Sequence, residues 1–492
     1  MQLPAFPLPL LGFVLTVLLS ATAGFAAPNE PLTGVLLFEW GDPAAESEAA
    51  PVERVLLGQE DGHHLELDIA PELLIGGSLE WHGLEVKVYP SPPTKTGVDA
   101  AGKGLRVAAV EKTATQKAAP RKMITGSQPW ISIPCKFSDV ADEPENQSFF
   151  QNMYDNSSGR LDHYWREVSF QQINVLGSTA LGWLVLPNPR SHYVTTQMVD
   201  GQEVQVADLD AIFDDCTAAA DPFIDFAAGG SGFVGINMMF NDVLDCCAWG
   251  GGRYATLDGL TKLWRVTWNP PWAFANQGVI AHEMGHGFGL PHANNSDGDS
   301  NPYDSPWDVM SSATGRAAYD ATYGALGKHV NAYHKDRLGW IPAARLLDVE
   351  RNTSQTVTID QTAIATTGNY RMAKIALPDS GLYYTIEARK RVSTYEGALA
   401  GEGIIIHKVD PTRREPSWLI DGDNPPADYS SNAGSVWTVG ETFNDAADAV
   451  TVEVVSETPD GFTVRIVSGN ADDIFMDGFE SGDLLRWSES SP

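Results

Sequence analysis

His282, Glu283, His286, Gly289 and His292 stand in the frame H-E-x-x-H-x-x-G-x-x-H. On a helix, His282 and His286 are four apart and share one face. Their imidazoles can hold a single zinc ion. Glu283 follows the first histidine, so its carboxylate points beside the metal rather than at it. There it can take a proton from a water at the metal. Gly289 lacks a Cβ and can end the helix in a left-handed turn. The turn is needed, because a continued helix would carry His292 about 9 Å along the axis from His286. Once the chain turns, His292 closes a three-histidine site with a fourth position left for water. The implied reaction class is metal-assisted hydrolysis.

A second element lies about twenty residues on, where Asp308-Val309-Met310-Ser311 follows a loop rich in Gly, Asn, Asp and Pro. With it the chain resembles the metzincin clan of zinc peptidases, which join the extended histidine motif to a methionine turn. The resemblance implies that Met310 is not a ligand but a polarizable floor beneath the imidazoles. Some members carry a tyrosine ligand two residues after that methionine; here the residue is Ser312, so no tyrosine ligand is expected there. Within the clan the chain is most similar to the secreted immune-inhibitor-A and gametolysin type. Ile131 to Asp139 resembles the first strand of that catalytic domain, Leu161 to Leu186 its helix-then-strand segment, and Asn331 to Ile341 the helix after the methionine turn. Immune-inhibitor-A-like members often have Asp where this chain has His292, which is the gametolysin-like choice. The resemblance implies an α+β, two-lobed catalytic domain over residues 130–345, with zinc in the cleft between the lobes.

The elements that must position these residues are legible in outline. Strands are expected at Trp130 to Phe137, Gln172 to Leu176, Leu181 to Leu186 and Gly232 to Phe240, and helices at Asp162 to Val168 and Ala207 to Phe226. Trp272 to Phe288 should be the helix that carries the first two ligands. Upstream, Gly34 to Phe38, His64 to Ile69 and Gly83 to Tyr89 alternate like strands of a small β module over residues 27–90, a candidate propeptide. Residues 91–129 change composition towards Pro, Gly, Thr and Ala. Between Lys95 and Lys122 they hold seven bases and two acids, in a chain with 64 acids and 32 bases. This stretch is expected to be a linker and a cleavable junction. Downstream, Tyr383 to Arg389, Gly403 to Val409, Val450 to Val455 and Phe462 to Val467 read as strands of a β-sandwich over residues 346–470. Glu387, Arg389 and His407 fall inside those patterns and read as structural groups.

The N-terminus carries an apolar run, Leu8 to Leu19, followed by small residues that suit a cut after Ala26. Residues 1–26 therefore read as a signal peptide, and the run is too short for a permanent membrane span. Residues 471–492 form an acidic tail resembling short C-terminal tails of exported bacterial proteins. The net charge of −32 opposes nucleic acid and anionic membranes as partners. In an exported chain, Cys135, Cys216, Cys246 and Cys247 suggest disulfides. A bond between neighbours is strained, so Cys246 and Cys247 are each expected to pair with Cys135 or Cys216, in either combination. No cysteine lies between residues 27 and 130, which excludes a propeptide that caps the zinc with a thiolate. In the loop after His292, the alternating oxygens of Asp297, Asp299 and Asn301, with Asp304 beyond, could ligate calcium.

The resulting expectation is a secreted, extracellular zinc endopeptidase with Glu283 as general base, acting on proteins or glycoproteins. One alternative is a protein- or glycan-binding module on a peptidase scaffold, against which the intact Glu283 counts. A zinc amidase acting on cell wall is the other, and the methionine turn weighs against it.

Overall fold

Leu32–Pro43 forms the first strand, β1, and its pairing sets the plan of the molecule. On one side it runs antiparallel to β2 (Val52–Gly58). On the other side its N-terminal half pairs with β4 (Glu85–Pro90), from Leu32↔Val88 to Val35↔Glu85. Its C-terminal half pairs with a strand of the following domain, from Glu39↔Gly251 to Pro43↔Cys247. β3 (His64–Asp68) and β5 (Leu105–Lys112) complete the module. Leu36, Phe38, Trp40, Val55, Leu57, Val86, Val88 and Val107 fill its core. The computed structural model describes residues 30–469 apart from 46, 48, 92–103, 119–122, 200, 231, 300, 379 and 424–432. The expected signal peptide and acidic tail lie outside the described residues.

Two expectations change here. The stretch read as linker is partly built structure, because Leu105–Lys112 pairs antiparallel with β4 and parallel with β3. Its alternation of buried Val107 with exposed Arg106 and Ala108 is strand-like, and basic composition masked it. The N-terminal module is also not a separate sheet. β1 continues the sheet of the central region, residues 130–345, into one eleven-stranded whole.

In that region, β6 (Trp130–Lys136), β7 (Gly235–Phe240) and β9 (Leu260–Asn269) are parallel neighbours, and β8 (Cys247–Leu257) is antiparallel to β9. β6 and β7 are buried almost throughout, as runs covered on both faces must be. Helix α2 (Leu209–Ala220), capped by the Asp208 side chain on Ala211 N at 3.0 Å, packs Ile212 and Phe213 with Ile131 and Ile133. On the other face, α1 (Leu161–Val168) and α3 (Gln277–Gly287) share a core with Met310 and Trp340. The segments expected as strands at 172–176 and 181–186 shrink to Ile173–Asn174 and Leu184–Val185.

Cys135 on β6 faces α2 and is joined to Cys216, with Cα atoms 5.9 Å apart. Cys246 and Cys247 are joined to each other, which corrects the expectation that neighbours would not pair. The reason is topological: β6 and α2 pack directly, so Cys135 and Cys216 satisfy one another.

The C-terminal region has two sheets. One orders Leu346–Val349, Met372–Ala376, Tyr383–Arg389, Gly403–Val409 and Ser417–Leu419; the other orders Thr353–Asp360, Gly461–Ser468, Val450–Thr458 and Thr442–Asp445. Ile375, Ile386, Ile404 and Ile406 of the first meet Ile359, Val452, Val464 and Ile466 of the second in one core, a sandwich. Among the described residues, no helix is long and apolar enough to cross a membrane.

Peptide mapping without reduction should return a 135–216 cross-link. Removing it by a double Cys→Ser change should lower unfolding stability by about 4–5 kcal/mol, given the chain length it closes. A cross-link from Cys135 or Cys216 to Cys246 or Cys247 would refute this pairing.

Candidate metal centre

Every residue of α3, Gln277–Gly287, is buried, so the helix runs through the core rather than along the surface. It stops where the motif requires. Gly289 adopts φ +89°. Gly289 N then donates to His286 O at 2.8 Å, and Leu290 N donates to Gly285 O at 3.0 Å. These two bonds close the paired helix-ending motif that a left-handed residue permits. The reversal brings His292 back beside the helix.

The three histidines converge. Nε2 of His282 and Nε2 of His286 are 3.0 Å apart. His282 Nδ1 donates to Val309 O at 2.7 Å, and His286 Nδ1 donates to Leu290 O at 2.7 Å. Each ring therefore spends its proton on a carbonyl and turns a bare lone pair inward. The Nδ1 of His292 lies 3.7 Å from Glu415 Oε1, and Glu415 is itself held by Asn294 Nδ2 at 3.1 Å. The C-terminal region thus supplies part of the support of the third histidine.

The fourth group is Asp42, at the end of β1. Its Oδ1 is 2.6 Å from His292 Nε2, and its Oδ2 is 3.2 Å from His286 Nε2 and 3.3 Å from His282 Nε2. Tyr303 OH donates to the same Oδ1 at 2.6 Å. The Trp40 ring stacks on His286 with centroids 4.5 Å apart and planes 14° apart. Asp42, His282, His286 and His292 are all buried and bring four ligand atoms within 4.8 Å of one another.

This donor set fits zinc. Two bare imidazole nitrogens and a carboxylate are all acceptors. They can face one another at 3 Å only with a cation or protons between them. Three neutral imidazoles and one carboxylate oxygen make a four-coordinate set of the type zinc takes. Burial pushes His286 down to about 3, so it stays neutral as a ligand must. Burial also lowers His292, but the Asp42 charge and hydrogen bond reverse this and lift it to about 10. Without a metal, His292 and Asp42 form an ion pair.

Glu283 lies on the same helix, fully buried, and neither carboxylate oxygen has a hydrogen-bond partner. Burial first, and then the neighbouring Asp42 charge, hold it well above the usual carboxylate range. A dication at the histidines would oppose both effects. β8 crosses close to this residue. A Cβ on Gly250 would come within 2.5 Å of Glu283 O and 2.9 Å of Glu283 Oε2. Beneath the helix, Met310 is fully buried, and a Cβ on Gly285 would collide with its Sδ. Asp308 shapes that turn: Oδ1 accepts from Met310 N at 2.7 Å and Oδ2 accepts from Asn331 N at 2.8 Å. Burial raises the Asp308 carboxyl, but His334 and these amides prevail and hold it at about 2.

The structure also assembles Asp297, Asp299 and Asp304 into one group, while Asn301 Oδ1 accepts from Tyr303 N at 3.2 Å. Glu387 accepts from Ala332 N at 2.8 Å, and Arg389 pairs with Glu396 at 2.6 Å; both are structural. His407 is buried with Nε2 unbonded. Sequence reading missed Asp42, Tyr303 and Glu415. Nothing in the sequence marks Asp42 among the acids of that module.

No protein-family model matches the sequence, and no curated protein matches it.

Asp42→Ala in the intact chain should speed loss of bound zinc to a chelator by about 10- to 100-fold, the range seen when a metal site loses a supporting group. Release followed with a chromogenic chelator checks this. An unchanged rate would show that Asp42 does not hold the metal.

Proposed function

We propose that the chain is the latent form of a secreted, metzincin-type zinc endopeptidase. The observation that supports this most directly is the convergence of His282, His286 and His292 on one point beside a buried, unbonded Glu283. Zinc bound there supplies Lewis acidity and makes water a nucleophile near neutral pH. The chain supplies the rest. Glu283 takes the proton of the attacking water and gives it to the leaving amide nitrogen as the C–N bond breaks. The Val309 and Leu290 carbonyls fix the tautomers of His282 and His286. Met310 and the Asp308 turn hold the floor under them.

Tyr303 completes the site. Its hydroxyl grips the Asp42 oxygen that also meets His292. With Asp42 withdrawn, the same hydroxyl faces the place where a scissile carbonyl oxygen gathers charge. Burial, followed by the nearby carboxylate charges, raises its phenol far above the ordinary value, so it remains a donor.

Latency follows from β1. It pairs antiparallel with β8, the peptidase edge strand, and delivers Asp42 to the position that water and substrate need. Ser78 Oγ on Gly289 O at 2.9 Å and Arg414 on Glu53 at 2.5 Å help seat the module. Because β5 belongs to that module, a cut that frees it as a folded unit falls after Lys112. Removal then exposes the β8 edge to an extended peptide, a recognised mode of substrate binding.

Digestion of an unfolded protein tests this reading. The intact chain should be nearly inactive and the form lacking residues before about 123 active, with activity lost to a chelator and restored by zinc. Glu283→Gln in the trimmed form should keep its zinc and lose about 100-fold or more in turnover. Equal activity of that variant and wild type would sink the mechanism. Tyr303→Phe in the trimmed form should lower kcat by about 100-fold with little change in KM, as loss of one oxyanion donor does. A change confined to KM would make Tyr303 a binding residue only.

A further inference from the structure

Asp297, Asp299 and Asp304 come from the loop that joins His292 to the methionine turn, and their carboxylates bring ligand oxygens within 4.8 Å of one another. Among the described residues, none of the three forms an ion pair with a base. Asp297 and Asp299 are exposed, as Asx-turn residues are. Asp304 is different. It is only 3% exposed, and its Oδ1 is buried with no hydrogen-bond partner. A buried carboxylate oxygen without a donor is costly unless a cation meets it. Two further carboxylates beside it make the cost larger. Burial, and then the charges of Asp297 and Asp299, push Asp304 up to about 7.

We propose that Asp297, Asp299 and Asp304 form a calcium site, separate from the three-histidine centre and independent of the peptidase reading. The donor chemistry selects the ion class. All three groups are hard oxygen donors with no nitrogen or sulfur, which favours calcium or magnesium over zinc. Calcium bonds oxygens at about 2.3–2.6 Å, so three carboxylate oxygens within 4.8 Å of one another can share one ion. Magnesium demands a tighter octahedron and keeps most of its waters. Loop carboxylates at uneven depth, two exposed and one buried, suit the more adaptable ion.

The site has a structural consequence. Its loop is tied to the C-terminal sandwich, where Leu419 N donates to Asn294 O at 2.9 Å. It also leads directly into Tyr303, the residue after Pro302 and before Asp304. A cation held by Asp304 therefore braces the backbone on which the Tyr303 hydroxyl is carried.

The test uses the full-length chain with zinc bound. Calcium chloride is titrated by calorimetry, with terbium luminescence as a second probe of the same site and magnesium chloride as comparison. One calcium per chain is expected, with a dissociation constant of about 10⁻⁴–10⁻³ M, typical of extracellular modules. The melting temperature should rise with calcium and move little with magnesium. Asp304→Asn should weaken calcium binding at least tenfold while leaving the zinc content at one. Should that variant misfold, the exposed Asp299→Asn change gives the same readout without disturbing a buried position. No binding at several millimolar calcium, or binding that survives both substitutions, would overturn the proposal. Equal response to magnesium would overturn the choice of ion.

Discussion

The molecule is organised around a group of acceptors that cannot face one another without positive charge. His282 and His286 spend their protons on carbonyls and present bare nitrogens 3.0 Å apart. A carboxylate from another part of the chain is then added to them. Only a cation at the centre, or protons shared among the groups, makes this arrangement tolerable in a buried site. The three parts of the chain are arranged to meet there: the N-terminal module through Asp42 and Trp40, the central region through α3 and its turn, and the sandwich through Glu415.

The N-terminal module reaches the centre by extending a sheet. A strand edge is a row of unmet hydrogen-bonding groups, and β8 offers one beside the metal ligands. β1 fills it in antiparallel register, and that register places Asp42 opposite Ala248. A shift by one residue would turn Asp42 to the other face of the sheet. Trp40, on the same face two residues earlier, adds a stacked contact with His286. Backbone pairing therefore sets where the carboxylate goes, and the side chains decide what it does there.

The sandwich is joined to the central region by buried charge rather than by apolar contact alone. Arg389 reaches Glu396 at 2.6 Å, Glu387 at 3.4 Å and the carbonyl of Trp307. Glu396 accepts from His329 N at 2.9 Å, and Lys335 donates to Thr362 O at 3.1 Å. Trp307 and His329 flank the turn that carries Met310, where Val309 N donates to His329 O at 3.3 Å. Charges this deep are tolerated when each has a partner, and a survivor left unpaired costs about 3–5 kcal/mol. The floor of the three-histidine centre thus leans on the C-terminal region.

Sequence alone determined that the three histidines converge beside Glu283, because their spacing within one helix and one turn is a local matter. Helical period sets His282 against His286, and Gly289 turns the chain at φ +89°. The strands of the sandwich were legible for the same reason: their alternation of buried and exposed residues is local. Asp42 was not, since its role depends on a pairing between strands 200 residues apart, and nothing in an acidic residue's neighbours records which edge its strand will join. The same holds for Glu415 beside His292, for Tyr303 on Asp42, and for the cysteines, where packing of β6 on α2 selected Cys135 and Cys216 and left Cys246 to Cys247. Short-range geometry wrote the histidine motif into the chain. Long-range strand register, which no local pattern encodes, decided what covers it.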